Sequence, residues 1–198
     1  MTTPTDPIRP VPLDRAYRLL NHGPTVLVSA EHAGRANVMA AAWAMPLDFA
    51  PPKVAVVVDK ATFTRGLIEA SGCFVLNLPC VAQAGLTVGV GTDSTHTRPD
   101  KLAAHGVQLF SPEGTALPLV AGCVGWLACR LLPEPHTQQT YDLFLGEVEA
   151  AWADPRVFRD GRWHFDDAAP ELRTLHYVAG GQFYATGASI QGLPERAS

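Results

Sequence analysis

The chain has 198 residues, 47% hydrophobic and 17% charged, which is enough for one well-buried core and excludes a disordered protein. Its net charge of −4 is spread without runs of like charge, so a polyanion-binding stripe is excluded and nucleic acid is not an expected partner. No run of about 18 apolar residues occurs, and Met1 to Pro12 lacks a basic segment followed by an apolar one, so no membrane span is expected and the chain reads as cytoplasmic.

Met1 to Pro12 holds four prolines and few apolar anchors, which predicts an extended arm available to wrap a partner subunit. Tyr17 to Leu20 suggests a short helical turn. Thr25 to Ala30 reads as a strand and Glu31 to Arg35, with Gly34, as a turn. A second strand is expected from Val38 to Met45, interrupted by Pro46, although Ala-rich Met39 to Ala44 also suits a helix. Lys53 to Val58 is β-branched and reads as a buried strand. Thr62 as N-cap, Leu67 and Ile68 on one face and Gly72 at the C-terminus predict a helix. Phe74 to Leu78 is a strand stopped by Pro79. Cys80 to Thr97, with Gly85, Gly89 and Gly91, suggests a short helix and then a loop.

Pro99 to His105 suggests a helical turn, Val107 to Phe110, Val120 to Leu132 and Tyr141 to Ala151 three strands, and Trp163 to Phe165 a short one. Strands outnumber helices and do not alternate with them, so a mainly β, antiparallel barrel with a few helices is expected. Cys73, Cys80, Cys123 and Cys129 lack the spacing of a zinc or redox site, which predicts buried thiols, with a reactive thiol near a cofactor as the alternative.

There is no P-loop, dinucleotide glycine fingerprint, HExxH or GxSxG, and the seven histidines lack metal-ligand spacing. What remains is a set at the ends of apolar strands: Asn37, Trp43, Lys60, Thr62, Thr64, Asn77, Thr97 and Lys101. Such groups suit a planar ligand carrying a phosphate. Each also has a structural explanation: Asn37 as a turn residue, Thr64 as part of a first helical turn, the lysines as solvated charges, Trp43 as core.

The order of segments narrows this. Asn37-Val38-Met39-Ala40-Ala41-Ala42-Trp43-Ala44-Met45-Pro46, Pro51-Pro52, Asp59 to Ile68 and Phe74 to Pro79 together resemble the flavin-reductase-like family, especially its flavoredoxin branch. Asp100-Lys101-Leu102, Gly146-Glu147-Val148 and Gly180-Gly181-Gln182-Phe183-Tyr184 are similar to later motifs of that family. The resemblance implies a Greek-key split barrel, an FMN-binding domain over residues 24–187 between an N-terminal arm with a short helix (1–23) and a tail (188–198), and a homodimer with FMN near its interface. It implies transfer of reducing equivalents from NAD(P)H or an electron-transfer protein through FMN, or a non-catalytic FMN carrier.

Carried over by position, Asn37 and Trp43 would line the flavin together with Met39, Ala40, Ala41 and Asn77. Thr64 would bond the phosphate end, with Lys101 and then Lys60 supplying positive charge. Phe183 or Tyr184 would close over the ring. Where many members of that family have a histidine before the Gly-Glu-Val strand this chain has Tyr141, a phenol of pKa about 10 in place of an imidazole of about 6.5. That departure bears on the choice of electron donor more than on FMN binding.

Overall fold

The structure is a computed structural model that describes residues 7–192; the outer part of the expected arm (1–6) and of the tail (193–198) lies outside the described residues. The chain begins with β1 (Arg9–Pro10), then α1 (Leu13–Ala16) running into a 3-10 turn (Tyr17–Leu19). Four strands follow, β2 (Val26–His32), β3 (Arg35–Ala41), β4 (Ala44–Phe49) and β5 (Pro52–Val57). Next come α2 (Phe63–Ser71), β6 (Cys73–Leu78), α3 (Ala84–Thr92) and α4 (Lys101–Ala104). The second half holds β7 (Leu109–Phe110), β8 (Leu119–Val120), β9 (Gly125–Leu132), α5 (Pro135–Tyr141), β10 (Leu143–Ala153), β11 (Phe158–Arg159) and β12 (Arg162–Trp163). A hairpin of β13 (Leu175–Ala179) and β14 (Gln182–Ala185) completes it.

The main sheet runs β3-β2-β6-β9-β10-β5-β4, antiparallel at every pairing. Its two outer strands, β3 and β4, are consecutive in the chain and joined by only Ala42 and Trp43. Two residues cannot span an open sheet, so the sheet must curl until its edges meet, and because β3 and β4 are not hydrogen-bonded neighbours the barrel stays split there. Ala33 and Gly34, both at positive φ, make the tight turn between β2 and β3.

The central strands are covered on both faces. Val26, Val28, Phe74, Leu76, Leu127, Cys129 and Phe144 fill the barrel, while Leu27, Val75 and Trp126 point the other way into a second cluster with Val38, Val90, Phe110 and Leu119. That double burial explains why β2 and β6 read as unbroken apolar runs. Gly146 on β10 answers a spacing demand: a Cβ there would come within 2.5 Å of Phe74 Cζ and 3.0 Å of Cys129 Cβ. Cys80, Cys123 and Cys129 are buried, Cys73 is half-buried, and none of the four forms a disulfide. Burial pushes the Cys123 and Cys129 thiols well above their ordinary value, as expected of packing residues.

Several expectations need correction. Pro46 does not interrupt a strand but lies inside β4, where an outer strand tolerates its missing N–H and a bulge at Leu47 adjusts the register. The run from Val38 to Met45 is two strands, broken at Ala42 and Trp43. Tyr141 does not open a strand; it ends α5, and Asp142 at φ 55° turns the chain into β10. The run from Val120 to Leu132 divides at Gly122, φ 82°. The inner part of the arm lies on its own barrel, with Arg9 and Pro10 paired to Ala153 and Trp152 and Val11 N donating to Ala151 O at 2.7 Å. Among the described residues no helix is long and apolar enough to cross a membrane.

Replacing Gly146 by valine should overpack the contact of β10 with Phe74 and lower stability by about 1–3 kcal/mol, read as a lower urea midpoint with an unchanged slope.

Candidate functional site

A cleft opens where β3 leaves the barrel. One wall is the end of β3, Ala40 and Ala41, with Ala42 beyond it; the opposite wall is α3, through Thr87, Val88 and Gly91. The β13–β14 hairpin closes one side with Tyr177, Gly180, Gly181 and Phe183, leaving a cavity of about 450 Å³. A second cavity of about 240 Å³ shares Ala40, Gly91 and Thr92 with the first and continues to Asn37, Met39, Thr64, Thr95 and Lys101. Volumes of this order belong to small-molecule sites.

The width is set by small residues. A Cβ on Gly91 would sit 3.1 Å from the Cβ of Ala40, so α3 approaches β3 as closely as a bare glycine allows. Alanine and glycine on both walls leave a flat slot. The hairpin is held at its base, where Thr25 N donates to Leu175 O at 2.7 Å and Tyr177 N to Thr25 Oγ1 at 2.9 Å, while Gly181 at its tip lines the cavity together with Val88.

The far end of the cleft is polar. Asn37 is buried; its Nδ2 donates to Thr64 Oγ1 at 2.9 Å and its Oδ1 accepts from Thr95 Oγ1 at 2.7 Å. The Thr64 hydroxyl proton therefore remains to be given. Thr64 sits in the first turn of α2, whose leading N–H groups have no intrahelical acceptor, and the Thr62 side chain makes no cap hydrogen bond to them, its hydroxyl donating to Asp59 O at 2.8 Å. Arg65 pins this helix in place, donating to Glu69, to Asp142 Oδ1 at 2.5 Å and to Gln138 O at 2.8 Å.

Lys101 lies opposite, on α4. It is 2% exposed and lines the cleft, yet among the described residues no hydrogen bond or ion pair engages its ammonium. Burial lowers its pKa to about 8, opposed in part by Asp93. Asp93 is itself held below the usual carboxylate range by hydrogen bonds from His105 and Arg98. Gly89 makes this possible, since any Cβ there would strike the His105 ring and push α4 off α3. Asp59 adds a carboxylate at the rim, occupied by the Ala61 N–H at 2.7 Å.

A sequence profile of the flavin reductase like domain matches residues 18–181. The chain belongs to the flavin reductase-like family. Its fold superposes on an FMN-binding domain of a flavin reductases-like enzyme from Shewanella baltica with a TM-score of 0.93 and 56% identity, covering 96% of this chain and 100% of that one. The flavoredoxin of Desulfovibrio vulgaris (Miyazaki F) is similar at a TM-score of 0.73 and 25% identity, over 88% of this chain and 92% of that one. The uncharacterized protein YddH of Escherichia coli K12 is 47% identical over 184 residues, 91% of this chain and 96% of its own length.

In this flavin reductase-like chain the residues expected to hold a cofactor divide into two groups. Asn37, Met39, Ala40, Ala41, Thr64, Lys101 and Phe183 line the cleft. Five others do not. Asn77 is sealed in the interior, where Nδ2 donates to Leu27 O and Ser29 Oγ and Oδ1 accepts from Val120 N at 2.8 Å, so its amide ties β2, β6 and β8 together. Trp43 is 75% exposed beside the cleft, and Tyr184 faces solvent on the hairpin's other side. Tyr141 lies against His136 on α5. Lys60 reaches Gln139 O at 2.5 Å in a neighbouring cavity. The sequence reading missed Thr95, Thr87, Gly91 and the hairpin residues Tyr177 and Gly181. The signal available for Gly91 and Thr95 was Gly89-Val90-Gly91 followed by Thr92, Thr95 and Thr97. Together the slot and its polar end suit a flat ring system joined to an anionic tail.

Replacing Lys101 by methionine should raise the melting temperature of the ligand-free protein. The folded pKa of about 8 lies below the ordinary 10.5, so burial costs stability below pH 8, by about 2–3 kcal/mol, and the cost is relieved as pH climbs from 8 to 10.5. Thermal scans over that window should show a rising melting temperature that flattens in the variant.

Proposed function

We propose that the chain binds FMN in this cleft and works as an oxidoreductase of the flavin reductase and flavoredoxin type, moving reducing equivalents from NAD(P)H or a redox partner to an acceptor. The observation that carries the reading is the buried, unpartnered Lys101 facing Thr64 and Asn37 at one end of a flat slot. A buried cation that Asp93 compensates only in part is a cost that an anionic ligand removes. Ala40, Ala41 and Phe183 would hold the ring system, and Asn37, Thr64 and Lys101 the polar end. FMN, when bound, supplies hydride and single-electron transfer.

The protein's own part is positioning and charge. Asn37 is fixed by Thr95, so the Thr64 hydroxyl it bonds is fixed too. Lys101 is neutral in the empty cleft above about pH 8, so binding an anion there takes up a proton. Phe183 and the glycine tip of the hairpin exclude water from the ring end. Four cysteines outside any disulfide suit a reducing compartment, in keeping with a cytoplasmic protein.

A homodimer is part of the same proposal. Trp43, Met45, Leu47 and Phe49 form an exposed apolar stripe along and just before β4, 46–75% exposed, and the stripe starts next to the cleft wall. A row of four large apolar side chains on an outer strand calls for cover, and a second copy is the partner the family resemblance implies. The double variant Trp43→Glu and Phe49→Glu should run as a monomer in size-exclusion chromatography with light scattering, where the parent chain runs as a dimer.

The freshly purified protein should carry a flavin spectrum that denaturation identifies as FMN. Flavin-fluorescence titration should show Lys101→Met binding FMN about tenfold or more weakly, and the parent affinity should fall from pH 7 to 9 while the variant's stays flat. Unchanged affinity in the variant would remove Lys101 from the site. Anaerobic mixing with NADH or NADPH should bleach the bound flavin; reduction only by an electron-transfer protein would identify a carrier instead.

A further inference from the structure

Beyond the polar end of the cleft lies a third cavity, of about 500 Å³, which shares Thr62 and Phe63 with the FMN-binding region. Its character is different. Arg35 lies over the Phe63 ring with its guanidinium carbon 4.7 Å from the centroid, and His96 meets the same ring edge-on at 5.2 Å. Lys60 contributes an ammonium that donates to Gln139 O and lies 3.7 Å from Asp142 Oδ1, a carboxylate it shares with Arg65. The carboxylate of Glu69 is engaged by Arg65 at 2.9 Å, so it does not cancel the free cation.

Arg35 is the informative residue. Among the described residues its side chain has no carboxylate partner and no hydrogen bond, yet it is not loose. It opens β3 directly after the Ala33-Gly34 turn and pairs with His32, which fixes its backbone, while its guanidinium rests over the Phe63 ring. A stacked guanidinium keeps its outward face free for a flat base and its N–H edge free for a phosphate in bidentate contact. This combination sits immediately past the point where the proposed reading puts a flavin's phosphate, so whatever extends the ligand beyond that phosphate, or runs alongside it, arrives here.

We propose that this cavity seats the adenosine-phosphate end of a dinucleotide, gripped by Arg35 with Lys60 beside it. The proposal rests on FMN occupying the adjoining cleft. Two ligands carry that chemistry: a nicotinamide dinucleotide phosphate lying over bound FMN, or FAD taking the place of FMN with its adenylate in the cavity.

Two titrations test it and tell the sources apart. Adenosine 2′,5′-bisphosphate is titrated calorimetrically into the FMN-loaded protein, and FMN and FAD are titrated by fluorescence into the flavin-free protein, each for the parent chain, Arg35→Ser and Arg35→Lys. The expected result is that Arg35→Ser weakens the bisphosphate, FAD, or both by about tenfold while Arg35→Lys recovers part of the loss and the FMN affinity of all three stays within about twofold. Loss of bisphosphate binding alone identifies the nicotinamide dinucleotide, and loss for FAD alone identifies the flavin's own adenylate. The proposal is overturned if neither ligand responds to Arg35, or if FMN weakens as much as FAD, which would make Arg35 part of the FMN phosphate seat. A parent chain that binds no FMN overturns the reading of the cleft instead, a result visible in the FMN titration by itself.

Discussion

The gap between α3 and β3 governs the molecule's chemistry. Ala40 and Gly91 stand so close that one added carbon on the glycine would come within 3.1 Å of the alanine side chain, and the same helix accommodates His105 at Gly89. Three glycines in a nine-residue helix, Gly85, Gly89 and Gly91, are unfavourable by about 1 kcal/mol each relative to alanine. Two of them are spent on close approach, one to the barrel and one to α4. Packing offsets the propensity at those two positions.

Electrostatics complete what the packing starts. No charged residue lines the first cavity, and charge enters the cleft at the end where α2 and α4 begin. The first turn of α2 offers uncapped N–H groups and the Thr64 hydroxyl, and α4 brings Lys101 across from them. Asp93, already committed to His105 and Arg98, leaves that ammonium only partly compensated. The result is a polarised cleft, neutral along its length and positive at one end, set by elements packed on the sheet rather than by the sheet.

How much of this could be read from the residues depended on whether the signal was local. β5, β6 and α2 were plain because β-branched runs, Thr62 and Gly72 state their own boundaries. α5 was hidden, since Pro135 to Tyr141 is polar and buries little beyond Gln138. The β13–β14 hairpin pairs only with itself and left no apolar rhythm to follow. The alanine run fused β3 with β4 because the break at Ala42 and Trp43 is imposed by barrel closure, not by a turn residue. Of the site, Asn37, Thr64 and Lys101 are 64 positions apart end to end, and only the ordered family motifs joined them. Asn77 was grouped with them because an amide that ties strands together looks identical in sequence to one that faces a ligand.

The hairpin that closes one side of the slot is joined to the body at Thr25 and, through His176, at Gly23, and no main-sheet strand is bonded to it. Its length and tip residues are thus free to drift without disturbing the barrel's register. Relatives sharing one scaffold can admit bulkier or slimmer reaction partners by recutting this ribbon alone, which separates the evolution of what enters from the evolution of what is held.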